Sequence, residues 1–326
     1  MKNNSFSQIA NTINHAKSIA FFTHIDPDLD AIGSALSLYF ACKNLGKKVT
    51  FFSKENFTEI QLMFLENCNV SSSMCDASQF DLFISTDAPA MYRLGDYAEI
   101  FNDKNNTIVI DHHINCGLIG RQNYVNTEMS SCSEISYQIL RAMKANITPQ
   151  IATLLYAGLS SDTFSFINTK TNSNSFWTAY KLVKAGADIL KVNELQYRRH
   201  TKKEVEFKKY LWTNFQIVDD CAYCTIPLKE LQAMNGKKSD FDSYSSELVS
   251  LKDIHYSFSL AETSKGFFEA SFRAKSGYDV RSVAMKFGGG GHIEAAGAKF
   301  NAENIQQATN MILDEIKKQK SEKNGY

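Results

Sequence analysis

Residues 18–53 read SIAFFTHIDPDLDAIGSALSLYFACKNLGKKVTFFS, and the reading of this run decides the fold. SIAFFT (18–23) and KVTFFS (48–53) are short apolar runs with the composition of buried strands. Between them, AIGSALSLYFACKNLG repeats its apolar residues at helical spacing and meets a C-cap signal at Gly46. DLFIST (81–86) and TIVI (107–110) extend the same alternation. It predicts an α/β fold whose central, mostly parallel sheet is flanked by helices on both faces.

The same run carries an electrostatic oddity. THIDPDLDAIGS (23–34) puts one histidine and three aspartates within seven positions, and three crowded carboxylates repel one another. Open α/β sheets bind ligands beyond the carboxyl ends of their strands. His24, Asp26, Asp28 and Asp30 fall there, as do Asp87 after DLFIST and Asp111, His112 and His113 after TIVI. Asp162 ends the apolar helix LLYAGLSSD. Taken singly, an aspartate after a strand is usually a helix cap, and a His-His pair is usually structural. Three such clusters on one rim point instead to a metal site. Carboxylate with imidazole suits manganese or another first-row divalent ion, whereas a soft thiolate site would need cysteines that these clusters lack.

The rest of the chain sets bounds. With 326 residues there is room for two domains. Lys+Arg and Asp+Glu are both 35, so no strongly basic nucleic-acid footprint is present overall, although a local basic groove is allowed. No apolar run nears the roughly 18 residues of a bilayer span, so no membrane partner is expected. MKNNSFSQIANTINHAK has no apolar signal-peptide centre, which makes a cytoplasmic location the expectation. Seven irregularly spaced cysteines fit a reducing compartment. Cys221 and Cys224 form a lone CxxC in the strand-like CAYCTIP and read as small buried side chains, since zinc needs four ligands.

From 131 to 214 the pattern is mostly helical, beginning with the capping-box-like SSCSE and reaching the charged YRRHTKKEVEFKKYLW (197–212). That charged stretch reads as a connector helix with a solvated face. HYSFSLAE and FFEASFRAK follow as strands, then a helix, a glycine cluster, a last strand and a terminal helix with the polar tail KKQKSEKNGY. The expected division is a first domain over 1–195, a helical connector over 196–214 and a smaller C-terminal α/β domain over 215–326.

Five ordered motifs now carry a resemblance. HIDPDLDAIGS, STDAPAMYRLG, VIDHHIN and GLSSDTFSF resemble the four motifs of the DHH phosphoesterases, and FGGGGHIEAAGA (287–298) resembles the glycine-rich motif of their associated C-terminal domain. DAPAMYRLG, NYVN and the run from LYAGL through TKTNS to LVKAGAD are similar to the NrnA-type nanoRNases and pAp phosphatases. Family II pyrophosphatases share the first four motifs but differ in the C-terminal domain, and RecJ exonucleases are usually longer.

The resemblance implies two divalent cations, most often Mn²⁺. His24 and Asp28 would bind the first, Asp87 would bridge, and Asp30, His112 and Asp162 would complete the second. Ions about 3.5–4 Å apart activate a water and clamp the phosphoryl oxygens of an in-line displacement. His113 would stabilise charge on the phosphate or the leaving oxygen, with Asp111 orienting an imidazole and Asp26 a solvated or N-cap residue. Arg273, Gly289, Gly290, Gly291 and His292 would hold the far end of the substrate, placing the active site between the domains. The implied activity is cleavage of oligoribonucleotides of two to five residues, including pApA, to mononucleotides, together with pAp dephosphorylation. The alternatives are a cyclic-dinucleotide phosphodiesterase, an exonuclease on longer DNA or RNA, and a binding protein on an inactive scaffold. The resemblance also makes a homodimer an expectation. The chain departs from the pattern at Phe164, where glycine is usual, at Ile167 and Asn168, where arginine and tyrosine are usual, and at Cys132 and Ser133 in the usual Ser-Ser-Thr-Ala-Glu. These changes bear on substrate choice, because Phe164 either narrows the cleft or offers a base a stacking face.

Overall fold

The computed structural model describes residues 3–102, 106–113, 116–118, 120–198, 201–241 and 243–323. Ile114 and Asn115 of the third motif, Arg199 and His200 of the charged stretch, and the last three residues of the polar tail lie outside the described residues. The chain divides into two compact units, 1–199 and 200–326. Among the described residues, no helix is long and apolar enough to cross a membrane.

The first unit is built on six strands, β1 (Ser18–Phe22), β2 (Lys48–Phe52), β3 (Val70–Ser71), β4 (Leu82–Thr86), β5 (Thr107–Asp111) and β6 (Gln122–Val125). They pair in the order β3-β2-β1-β4-β5-β6, and every pairing is parallel. β1, β4 and β5 are the most buried, which is why they read as unbroken apolar runs. The edge strands β3 and β6 are short and half exposed, and the sequence shows no apolar run there.

Helices α1 (Phe6–His15), α2 (Leu29–Asn44), α3 (Glu59–Phe64), α4 (Cys132–Ala142), α5 (Pro149–Asp162), α6 (Ser173–Lys184) and α7 (Ile189–Asn193) complete the unit. The main core joins α2, α4 and α5 to one sheet face through Ile32, Leu36, Ile135, Leu155 and Leu159. The opposite face packs Phe22, Phe52, Phe83 and Val109 against Leu94, Tyr97 and Phe101 of the 3-10 turns Met91–Phe101. Two glycines let the three helices close up. A Cβ on Gly33 would sit 2.4 Å from the Leu154 carbonyl, and one on Gly158 would sit 2.0 Å from Ser133 Oγ and 2.7 Å from Asp30 Oδ1.

The second unit begins with α8 (Lys202–Asn214), whose Phe207 and Leu211 are buried in the core of this unit. It continues with β7 (Gln216–Val218), β8 (Cys221–Ile226), α9 (Leu228–Ala233), α10 (Tyr244–Val249), β9 (Tyr256–Ser264), β10 (Phe267–Ala274), α11 (Arg281–Lys286), β11 (Gly290–Gly291), β12 (Ala295–Asn301) and α12 (Ile305–Lys323). The sheet order is β11-β12-β10-β9-β8-β7, antiparallel except for the β8–β9 pair. The two-residue period of β8 sends Cys221 and Tyr223 into one core and Ala222, Cys224 and Ile226 into the other. Cys221 and Cys224 therefore face opposite ways and cannot chelate together. Burial pushes both thiols up to about 12.

Candidate active site

The site grows from the carboxyl ends of β1, β4 and β5, the three central strands. Beyond β1 the chain turns through Asp26 at φ 51 and enters α2, whose N-cap is Asp28. Asp28 Oδ1 accepts from the Asp30 and Ala31 amides, both at 2.9 Å, which fixes the carboxylate at the helix mouth. Asp26 is exposed and belongs to none of the potential ligand groups.

Asp30 sits in the first turn of α2, fully buried. Its oxygens accept from the Cys132 amide at 2.6 Å and the Ser133 amide at 2.9 Å, the first amides of α4. That is an anion at a helix N-terminus, and it locks α2 to α4. Ser131 caps the same helix by accepting from the Glu134 amide at 3.1 Å, and Glu134 Oε2 accepts in return from Ser130.

Asp87 follows β4 at φ 58, a left-handed turn that aims its side chain across the rim. Its two oxygens face different imidazoles. His24 Nε2 lies 3.7 Å from Asp87 Oδ2, and His112 Nε2 lies 3.6 Å from Asp87 Oδ1. His112 Nε2 also lies 3.2 Å from Asp162 Oδ2. Their donor atoms fall into groups within 4.8 Å of one another: His24, Asp28 and Asp87; Asp30, His112 and Asp162; and Asp87, His112 and His113. All six residues expected as metal ligands thus meet at one place, with Asp87 between the two imidazoles.

Electrostatics explains why the cluster calls for cations. Burial raises Asp87 well above the usual carboxylate range, and Asp30, Asp28 and Asp162 push it further. Burial followed by the Asp28 charge raises Asp30 to about 7, and burial followed by Asp30 and Asp28 raises Asp162 to about 8. Burial lowers His24, and burial with the Lys170 charge lowers His112 to about 3, so both imidazoles stay neutral and keep a lone pair. Asp87 Oδ1 is buried without a hydrogen-bond partner, as is Asp111 Oδ2. A buried carboxylate oxygen left in that state is costly unless a cation meets it. The donor set therefore fits divalent metal.

The surrounding contacts orient the ligands. His24 Nδ1 lies 2.7 Å from the Ile25 carbonyl; the tautomer that donates there leaves Nε2 free for metal, and in it the nearby Arg93 guanidinium makes no hydrogen bond to the ring. His112 Nδ1 lies 3.3 Å from the Met129 carbonyl, and donation there likewise leaves Nε2 free. Asp111 Oδ1 accepts from the His113 amide at 2.7 Å and lies 2.8 Å from His113 Nδ1, so Asp111 holds the His113 ring. Sequence reasoning missed Arg93, whose Nη2 lies 2.8 Å from His24 Nδ1, and Lys170, whose Nζ lies 3.6 Å from Asp162 Oδ2. It also missed Cys132, whose sulfur groups with Asp30 and Asp87, correcting the expectation that the clusters lack cysteine. Burial raises that thiol well above its ordinary value, and Sγ lies 3.6 Å from the Ile110 carbonyl. It stays a protonated packing group.

In the second unit, Arg273 pairs across the sheet with Ser257 and Ala295, and its Nη1 donates to the Phe272 carbonyl at 2.9 Å. Two positions earlier, Ser271 shares its face and accepts from Lys238 Nζ at 2.7 Å. Opposite them in the register stand Ala295 and Gly297. The glycine run divides by role. A Cβ on Gly289 would sit 2.1 Å from the Gly297 carbonyl, and one on Gly291 would sit 2.5 Å from the Ala295 carbonyl. Those two glycines serve the close approach of their own strands, whereas Gly290 faces open space. His292 is exposed, and its amide donates to the Ala295 carbonyl at 2.7 Å.

Residues 18–159 match the family model described as DHH family, N-terminal domain, and residues 233–318 match the DHHA1 domain. The chain belongs to the DHH family. It is 29% identical to the bifunctional oligoribonuclease and PAP phosphatase NrnA of Mycoplasma genitalium, over 98% of this chain and 99% of that one. It is 25% identical to the protein of that name from Mycoplasma pneumoniae, over 92% of each. The fold is also that of an exopolyphosphatase-related protein from Bacteroides fragilis, at TM-score 0.84 and 22% identity, covering 96% of this chain and 95% of the other.

Proposed function

We propose that this DHH protein is a manganese-dependent phosphohydrolase that degrades oligoribonucleotides of about two to five residues, pApA included, to mononucleotides and also removes a phosphate from pAp. The observation that carries the reading is Asp87, whose two oxygens are turned to different imidazoles. His24, Asp28 and Asp87 would hold one Mn²⁺, and Asp87, Asp30, His112 and Asp162 a second. Carboxylate and neutral imidazole suit that ion. Bound there, the pair supplies Lewis-acid stabilisation of the phosphoryl oxygens and lowers the pKa of attacking water.

The chain's own groups do the rest. Asp111 fixes His113 at the mouth of the site, where its ring meets charge on the phosphate or the leaving oxygen. Arg273, Gly289, Gly290, Gly291 and His292 are the proposed grip on the substrate's other phosphate, with Gly290 the open backbone position. Near full-length similarity to proteins named oligoribonuclease and PAP phosphatase supports this substrate class. So does a net charge of zero, since a few phosphates need no long basic track. The seven cysteines are all free, in keeping with a cytoplasmic setting. A homodimer goes with the family reading, and sedimentation at micromolar concentration would read it.

The test is turnover of pApA, a five-residue RNA, pAp and a cyclic dinucleotide with Mn²⁺ at fixed salt. Mononucleotide release from the linear substrates is expected. Release from none of them would sink the proposal, and faster turnover of the cyclic form would reassign the substrate. Steeply salt-dependent binding to 20-residue strands would favour an exonuclease on longer chains.

A further inference from the structure

Directly after Asp162, the last residue of α5, the chain makes a turn that ordinary side chains avoid. Phe164, Ser165 and Phe166 have φ of 48, 56 and 68, three consecutive left-handed residues with no glycine among them. Aromatic residues are disfavoured in that region, and such strain persists only where the surroundings over-determine it. Here they do. The Phe164 amide donates to the Ser161 carbonyl at 3.1 Å, the Ser165 amide to the Ser160 carbonyl at 2.8 Å, and the Phe166 amide to Thr163 Oγ1 at 3.1 Å. Asn168 Nδ2 donates to the Asp162 carbonyl at 2.5 Å, tying the far end of the turn back to its start. Phe166 stacks on Phe176 with ring centroids 5.1 Å apart.

The turn is therefore rigid, and it holds Phe164 outward. That ring is 65% exposed, and among the described residues it stacks on no other ring. Ile167, the next outward side chain, is 84% exposed. Packing gives no reason for a phenylalanine at a backbone position where glycine would be unstrained. The position does offer a reason: Phe164 lies two residues from a carboxylate of the proposed metal centre, at most about 7.6 Å between Cα atoms. Lys170 Nζ, 3.6 Å from that carboxylate, adds a cation on the same rim. An aromatic face and a cation beside a phosphate-cleaving centre match a nucleotide, base on ring and phosphate on metal and ammonium.

We propose that Phe164 is a base-stacking platform for the nucleotide whose phosphate is attacked, and so a specificity-determining residue. This rests on the proposed function and deepens it. Stacking accepts every base and favours purines, which selects nucleotides over phosphate esters without a base.

The experiment compares wild type with Phe164→Gly and Phe164→Trp on a dinucleotide and on its abasic analogue. In Phe164→Gly, KM for the dinucleotide is expected to rise about tenfold, with the melting temperature held or raised because glycine relieves the turn. The preference for the base-bearing over the abasic substrate falls by the same factor, and Phe164→Trp restores it. A 2-aminopurine dinucleotide held with Ca²⁺ gives a readout apart from turnover: wild type quenches its fluorescence, and Phe164→Gly does not. If wild type hydrolyses the dinucleotide and Phe164→Gly keeps its KM and its base preference, the stacking role is overturned while the function stands. If wild type hydrolyses no dinucleotide, both fall.

Discussion

At the scale of single residues, the site depends on which groups hold protons and which hold lone pairs. Asp87 is the most demanding case, a buried carboxylate among four others, with one oxygen lacking a hydrogen bond. Asp87→Asn removes the charge both proposed ions share. Mn²⁺ binding measured by calorimetry is expected to drop below detection and hydrolysis to fall by at least about 100-fold. Asp111→Asn probes a different role, because Asp111 belongs to none of the potential ligand groups and its Oδ1 lies 2.8 Å from His113 Nδ1. The expectation there is a loss of about 10–100-fold in kcat with Mn²⁺ affinity little changed. An equal loss of affinity would show that Asp111 acts on the ions and not on the His113 ring.

Elements place those residues, and their packing is tighter than the sequence announces. Asp30 and Asp162 belong to α2 and α5, which approach closely because residues 33 and 158 have no side chain. The close approach puts the Asp30 carboxylate against the first amides of α4. Gly158→Ala would drive a methyl into Ser133 Oγ and Asp30 Oδ1 at once. Overpacking of this kind costs about 1–3 kcal/mol or more. Thermal unfolding should fall by several degrees, and Mn²⁺ affinity should fall with it as Asp30 is displaced. A variant that melts lower yet binds Mn²⁺ like wild type would uncouple the helix packing from the site. The apolar runs of β1, β2, β4 and β5 and the acidic ends beyond β1, β4 and β5 were legible, because burial on both faces and charge at a strand end leave direct marks in composition. The short edges β3 and β6 were not, since two to four half-exposed residues carry no period. The packing roles of Gly33 and Gly158 were also hidden, because a close approach between helices distant in sequence has no local pattern. Arg93 and Lys170 went unnoticed for a related reason: a lone cation reads as solvated until the fold brings it to a carboxylate or an imidazole.

For the whole molecule, the same buried charges tie stability to pH and to metal. Asp30 and Asp162 titrate near 3.8 when unfolded, and burial and neighbouring carboxylates raise them to about 7 and about 8 in the folded protein. Across that window the folded, metal-free protein holds protons the unfolded chain has released, so stability falls as pH rises. The histidines work in the opposite sense. His24 and His112 are lowered from 6.5, so their contribution is complete above that pH and is lost as pH falls. Between pH 6.5 and 8.5 the histidines still gain about 0.4 kcal/mol each as the unfolded rings finish deprotonating, and the opposing carboxylate effect, on the order of 1–3 kcal/mol in all, outweighs them. At about 2–4 °C per kcal/mol for a domain of this size, the chelator-treated protein should melt several degrees lower at pH 8.5 than at pH 6.5. Saturating Mn²⁺ binds the ionised carboxylates and should reverse the trend, with a larger rise in melting temperature at the higher pH. Differential scanning calorimetry with and without Mn²⁺ at the two pH values reads both slopes. A metal-free melting temperature that holds or rises from pH 6.5 to 8.5 would show that these carboxylates already have a compensating partner within the chain, and would remove the electrostatic case for two cations.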